Sequence, residues 1–346
     1  ANEKHKMSRL ALLVVVVLLC CCCRPACSTR SSSSSSSSNQ VLRPPALSAH
    51  GTIGLVSPAS YVDDPTYPEQ VTAQFKALGF SVKFGAHFNS TYGYLAGTDA
   101  ERASDVNAMF ADATVSGVMA DRGGWGCARI LPLLDYESIR TQAKPFMGYS
   151  DITACLVAVH VKTNMVVFHG PMGISDWSAG SLDQQAAFDI VQRGQAAVIR
   201  NPAGYPISTI NGGRATGRLI GGNLSVLAGI VGSSFVPEDW SEYVLFLEDV
   251  GEAPYRIDRM LTELQLAGIL NQVAGFVWGT CTNCDDGSSF NVSQVLQQHL
   301  QPIGIPAFAG LRFGHISEQL TLPIGARVLL DANEGTLTML ESAVIV

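Results

Sequence analysis

The sequence predicts an α/β protein whose N-terminal half is built on a mainly parallel sheet and whose C-terminal half is richer in strands. Three observations lead there. From Gly51 to about Val161, apolar strand-like runs alternate with helix-like runs, the rhythm of a sheet covered by helices on both faces. Beyond Gly204, short apolar runs punctuated by Gly212-Gly213 and Gly221-Gly222 outnumber helical ones. At 346 residues, 47% hydrophobic and 15% charged, the chain can bury a large core, and its length suits two domains.

The elements follow in order. Gly51-Thr-Ile-Gly-Leu-Val-Ser-Pro58 is a short apolar strand ending in turn residues, Pro68 to Leu78 is an amphipathic helix closed by Gly79, and Phe80 to Phe84 is the next strand. Thr98-Asp-Ala-Glu101 has capping-box spacing and opens a helix to about Ala111, leading to a strand at Val115 to Ala120. Pro145 to Tyr149 is a further strand, and Ile152 to Val161 reads as a helix apolar on most faces. In the second half come a strand Val244 to Leu247, a helix Tyr255 to Leu266, a strand Val273 to Trp278, a helix Val292 to Leu300, and strands near Ala326 to Leu330 and Thr336 to Leu340. The expected layout is a leader over 1–28, a Ser-rich linker over 29–48, an N-terminal domain over 49–175, an interdomain linker over 176–205 and a C-terminal domain over 206–346.

The leader reads as a signal peptide: Lys4, Lys6 and Arg9 precede an apolar run from Leu10 to Cys23, and a serine tract follows at Ser31 to Ser38. The run falls short of the roughly 18–20 residues a membrane-spanning helix needs. The expected location is secreted or endomembrane, with acylation at Cys20 to Cys23 as an alternative use of the leader. A net charge of -7 with no basic cluster interleaved with aromatics leaves no electrostatic footprint for nucleic acid. Five of the nine cysteines lie in the leader. Cys281-Thr-Asn-Cys284 has metal or redox spacing, but no second pair completes a zinc site, so it reads as an incidental pair or a local disulfide.

Two loops carry chemistry. In Phe146-Met-Gly-Tyr-Ser150-Asp-Ile-Thr153 a strand stops at a turn and a helix begins at once. A serine there projects its hydroxyl from the sheet edge, with amides of the helix start nearby to hold an oxyanion. Ile152 stands where the second glycine of a G-x-S-x-G elbow belongs, and a helix N-cap is the rival reading of Ser150. Asp121-Arg-Gly-Gly-Trp125-Gly126 follows a strand directly, so its glycines let backbone amides approach a ligand, or simply make a tight turn. A nucleophilic serine needs a histidine held by a carboxylate. His160 falls inside the apolar helix and His299 on a polar helix face, while His315 and His169 both lie in Gly-flanked loops and the residues alone do not separate them. Among acids, Glu248 ends an apolar strand and is better held for orienting an imidazole than Glu252 or Asp258.

Gly123-Gly-Trp-Gly126, Leu131-Pro-Leu-Leu-Asp-Tyr136, Gly148-Tyr-Ser-Asp-Ile-Thr153, Phe168-His-Gly-Pro171, Gly221-Gly-Asn-Leu-Ser225, Phe246-Leu-Glu-Asp249, Tyr255-Arg-Ile-Asp-Arg259 and Phe313-Gly-His315 together resemble the LD-carboxypeptidase and microcin-immunity family of serine peptidases. They run in family order from about Gly51 to the C-terminus. The resemblance implies a triad of Ser150, Glu248 and His315, with Glu252 as the alternative acid, and an oxyanion hole from the amides of Gly124 and Asp151. Trp125 in the same loop stands as a substrate-binding candidate, and Trp177 as either a substrate-loop or a structural residue. The implied fold is an N-terminal flavodoxin-like parallel-sheet domain and a smaller C-terminal β-rich α/β domain with the active site in the cleft between them. No metal or other cofactor is implied, and homodimers are. The implied substrate is a murein tetrapeptide that loses D-Ala from an L-centre, diaminopimelate or Lys. The family's other branch cleaves a peptidyl-nucleotide antibiotic. A leader departs from the family's cytoplasmic bacterial enzymes, whose location is the alternative expectation for this chain, and export would suit digestion of foreign cell wall. Rival readings are a non-catalytic muropeptide- or sugar-binding protein and a generic ester hydrolase.

Overall fold

A computed structural model describes residues 40–195, 198–285, 287 and 290–346; the expected leader and the serine tract lie outside them. The predicted alternation appears as β1 (Thr52–Val56), α1 (Tyr67–Ala77), β2 (Ser81–Phe84), α2 (Asp99–Ala111) and β3 (Gly117–Ala120). Next come α3 (Cys127–Ile130), α4 (Tyr136–Thr141), β4 (Phe146–Gly148), α5 (Thr153–Thr163), β5 (Val167–His169) and α6 (Leu182–Val191). The second half supplies β6 (Val198–Ile199), β7 (Ser208–Asn211), β8 (Arg214–Asn223), α7 (Leu224–Ala228), β9 (Tyr243–Val250), α8 (Pro254–Leu266) and β10 (Gly275–Thr282). It ends with α9 (Val292–Leu300), β11 (Ala307–Ala309), β12 (Leu322–Ile324), β13 (Arg327–Asp331) and β14 (Thr336–Met339).

Local chemistry explains the boundaries. α2 starts at a reciprocal capping box: Thr98 Oγ1 accepts from the Glu101 amide at 3.3 Å, and Glu101 Oε2 accepts from the Thr98 amide at 2.7 Å. β3 is buried at every position, as a strand covered on both faces must be, whereas edge strand β2 alternates exposed and half-buried residues.

The first sheet has the order β12-β5-β4-β3-β1-β2. The five strands from β5 to β2 are parallel, and β12 joins antiparallel to β5. Strand order reverses between β1 and β3, so the loops after β1, β3 and β4 open onto one crevice at the carboxyl edge, where such sheets bind ligands. The second sheet is mixed, with the order β6-β14-β13-β8-β9-β10-β11-β7, and its centre, β8 to β11, is parallel. Helix α5 is buried from Thr153 to His160 because it touches both sheets. It follows β4 directly, Thr153 Oγ1 accepts from the Asn223 amide at the end of β8 (3.0 Å), and His160 Nε2 lies 3.3 Å from the Tyr243 hydroxyl at the start of β9.

Several expectations about organisation meet a different arrangement. The segment 176–205, read as a linker, carries α6 and β6. β12 comes from the C-terminal segment yet completes the first sheet. From Gln40 the supposed serine-rich linker is already part of the fold: Leu42 bridges to Met165 and Pro45 to Ile345, with Val41 and Leu47 buried. Trp177, considered for a substrate loop, is a core residue 1% exposed, tilted against Phe75 and Phe188, with Nε1 donating to the Met172 carbonyl at 2.8 Å. Its flanking Ser and Asp residues give a polar local pattern that hides the burial. Trp177→Ala should therefore cost about 3–5 kcal/mol of stability, read as a lowered urea midpoint with an unchanged slope. A change of less than about 1 kcal/mol would contradict the packing described.

Candidate active site

Ser150 sits just past β4 with φ 63. A non-glycine residue in that left-handed region is uncommon and costs of order 1–2 kcal/mol. The turn that imposes it lifts the hydroxyl out of the sheet edge and starts the helical turn Ser150–Ile152 that runs into α5. Ile152, the departure from the usual elbow pattern, is fully buried beneath that turn.

The hydroxyl meets a histidine of the second sheet's segment, which in turn meets a glutamate there. Ser150 Oγ lies 2.9 Å from His315 Nε2, and His315 Nδ1 lies 2.8 Å from Glu248 Oε2. With Nδ1 donating to the carboxylate, Nε2 is left to accept the serine proton. Glu248, in β9, is completely buried. A buried carboxylate needs donors, and it has three: the imidazole, the His315 amide at 3.3 Å and Asn223 Nδ2 at 3.2 Å on the facing oxygen. Asn223 is in register with Glu248 on neighbouring parallel strands, a role the sequence reading did not find. Its one trace was the Gly221-Gly-Asn string at a strand end. Gly314, at φ 103, also has a reason: a Cβ there would collide with the Glu248 carboxylate. Glu252 is occupied elsewhere, 3.4 Å from Arg256 on the first turn of α8.

His169, the other loop histidine, is not at the surface. It lies in β5, with no exposure and no hydrogen-bond partner on either ring nitrogen, boxed edge-on by Tyr149, Phe246 and Phe313. Tyr149 also meets the His315 ring edge-on at 5.1 Å and so backs the imidazole.

The glycine loop after β3 closes over the serine. A Cβ on Gly123 would stand 2.8 Å from Ser150 Oγ and 3.3 Å from the Asp151 amide nitrogen, so a residue without a side chain leaves room beside the hydroxyl and that amide. The Asp151 carboxyl is buried, its pKa pushed up by that burial, and it accepts from the Cys127 amide at 2.8 Å, tying the glycine loop to the elbow. Gly124 packs on Ser60, whose hydroxyl accepts from the Trp125 amide at 3.2 Å. The Trp125 side chain is 50% exposed. Fully buried Arg102 joins the loops after β1 and β3 by donating to the Pro58 and Gly126 carbonyls, and pairs with Asp99. Beneath them Asp121 is buried with its pKa pushed up to about 7, and accepts from Ser57 Oγ at 2.7 Å.

Cys281 and Cys284 form a disulfide, which settles their spacing as the local bridge. Among the described residues, no group of three or more His, Cys, Asp or Glu is arranged to hold a metal ion. The arrangement is thus a hydroxyl, an imidazole and a carboxylate in one hydrogen-bonded chain beside backbone amides, which is equipment for acyl transfer.

Burial holds the His169 pKa down at about 4, below the value of about 6.5 for an unfolded histidine. Between those pH values the unfolded chain takes up a proton that the folded one refuses. The stability associated with neutral His169 is therefore present above pH 6.5 and lost as pH falls towards 4. His169→Phe should lose on the order of 1–2 kcal/mol less than the parent between pH 7 and pH 5 in urea unfolding. Equal losses would contradict the burial of a neutral ring.

The chain resembles known proteins over most of its length. The LD-carboxypeptidase N-terminal domain model matches residues 53–170 and the LD-carboxypeptidase C-terminal domain model residues 216–330. The chain is 36% identical to the probable murein peptide carboxypeptidase of Bacillus subtilis, covering 85% of this chain and 93% of that one. It is 30% identical to the murein tetrapeptide carboxypeptidase of Pseudomonas aeruginosa, covering 82% and 94%. A solved structure of MccF, the microcin C7 self-immunity protein, in complex with glutamyl sulfamoyl guanosine superposes with a TM-score of 0.82 at 26% identity, covering 88% of this chain and 100% of that one. Two α/β halves in family order, matched over most of their length, make this chain a member of the LD-carboxypeptidase family.

Proposed function

We propose that this chain is a serine-type LD-carboxypeptidase that removes the terminal D-Ala of murein tetrapeptides from an L-centre, diaminopimelate or Lys. The observation that carries the chemistry is the unbroken path Ser150 Oγ to His315 Nε2, then His315 Nδ1 to Glu248, at 2.9 and 2.8 Å. The substrate rests on relatives named murein peptide and murein tetrapeptide carboxypeptidase.

In this reading Ser150 Oγ attacks the scissile carbonyl as His315 Nε2 takes its proton. The amides of Asp151 and Gly124 receive the oxyanion, and the imidazolium then protonates the departing D-Ala amine. Water, deprotonated by the same imidazole, releases the acyl peptide from Ser150. Glu248 fixes the tautomer and offsets the imidazolium charge. Trp125, half exposed beside the elbow loop, offers the substrate an apolar face. A second reading is cleavage of a peptidyl-nucleotide, favoured by the likeness to the MccF complex with glutamyl sulfamoyl guanosine. The leader's order of charge, apolar run and serine tract supports an exported protein meeting peptidoglycan fragments outside the cytoplasm. The family resemblance supports a homodimer.

Incubation with L-Ala-γ-D-Glu-diaminopimelate-D-Ala should release free D-Ala. Ser150→Ala and His315→Ala should each lower turnover by about 10⁴- to 10⁶-fold. Release from no LD-linked peptide would reject the assignment, and cleavage of an aminoacyl sulfamoyl nucleotide in its place would select the second reading.

A further inference from the structure

The ring closed by Cys281 and Cys284 lies at the end of β10, where two parts of the catalytic chain converge. Inside it, Thr282 Oγ1 donates to the carbonyl of His315 at 2.7 Å. The Thr282 carbonyl accepts from the Gly251 amide at 2.8 Å, just past the end of the strand that carries Glu248. Cys281 is in register with Asp249 and Thr282 with Val250. One small ring therefore touches both the residue bearing the imidazole and the strand bearing its carboxylate. Farther along the His315 loop, Arg312 donates to the carbonyls of Ser317 (2.6 Å) and Glu318 (3.3 Å), which braces the segment beyond the imidazole. The hydrogen bond from Thr282 is made at His315 itself.

Opening the bridge frees the two sulfurs to move apart, and the ring they close contains Thr282. Cys284 is buried and Cys281 half-buried, so Cys281 is the sulfur a reductant reaches. We propose that Cys281–Cys284 is a thiol–disulfide exchange site for a dithiol reductant, and that Thr282 is a positioning residue transmitting its state to His315. The inference rests on the reading of Ser150 and His315 as nucleophile and base. In the exchange, a thiolate of the dithiol attacks Cys281 Sγ and Cys284 departs as a thiolate that takes up a proton. The second thiol of the reductant then attacks its own bound sulfur and frees Cys281 as a thiol. Two electrons and two protons pass to the protein, and the reductant leaves as its disulfide.

The test uses the full chain, air-oxidised or treated with dithiothreitol, with the 281–284 bridge followed by peptide mapping. The readouts are the rate at which a fluorophosphonate labels Ser150, and kcat and KM for D-Ala release. Loss of one hydrogen bond at the base should slow labelling by about tenfold on reduction, with kcat falling and KM nearly unchanged. Thr282→Val should be about tenfold slow when oxidised and indifferent to dithiothreitol. Thr282→Ser should keep both the rate and the response, and Cys281→Ser combined with Cys284→Ser should match the reduced enzyme in either condition. Equal labelling in the two states, a full response in Thr282→Val, or unbridged cysteines after air oxidation would overturn the proposal. Absence of labelling in both states would instead overturn the nucleophile assignment beneath it.

Discussion

The candidate site is organised around a fully buried glutamate and the hydrogen-bond donors that surround it. Glu248 has no exposure to solvent, and a polar group buried there without hydrogen-bond partners is costly. The fold answers with Asn223 placed opposite it on the neighbouring strand, with the amide and ring of His315, and with a glycine at 314 that lets the histidine loop come close. The register of β8 on β9 and the course of the 310–318 loop therefore set the position and tautomer of His315. In the proposed reaction, that preorganisation spares the site from rearranging as charge develops.

Ser150 comes from the other sheet, so the geometry also depends on how the sheets are joined. α5 makes the join. It starts two residues after the elbow serine's neighbour, packs on the first sheet, and binds the end of β8 through Thr153 and the start of β9 through His160. β12 ties the sheets a second time by returning from the histidine loop to pair with β5. A displacement of α5 would thus move Ser150 relative to both of its partners.

Most of the first sheet was legible because its strands and helices have local signatures: an alternating rhythm, a capping box at Thr98, a strand that ends in a glycine turn before Ser150. Glu248 was favoured by its place at the end of an apolar run, while His315 was indistinguishable from His169 until family motifs were weighed. What separates those two histidines is burial created by Phe246 and Phe313, far along the chain, and no local pattern encodes it. Asn223, Thr282, α6, the return of β12 and the burial of Trp177 were illegible for the same reason. Each owes its role to a partner distant in sequence, and the polar neighbours of Trp177 pointed the other way.

The whole arrangement stands on the sharing of the His315 Nδ1 proton with the buried Glu248 side chain. Proton NMR tests it most directly, since a proton in such a short charge-assisted hydrogen bond resonates far downfield of ordinary ring and amide protons. One far-downfield resonance should appear in the parent protein, vanish in His315→Gln, and move strongly upfield in Glu248→Gln. A spectrum lacking that resonance, or one in which it is indifferent to Glu248→Gln, would contradict the account.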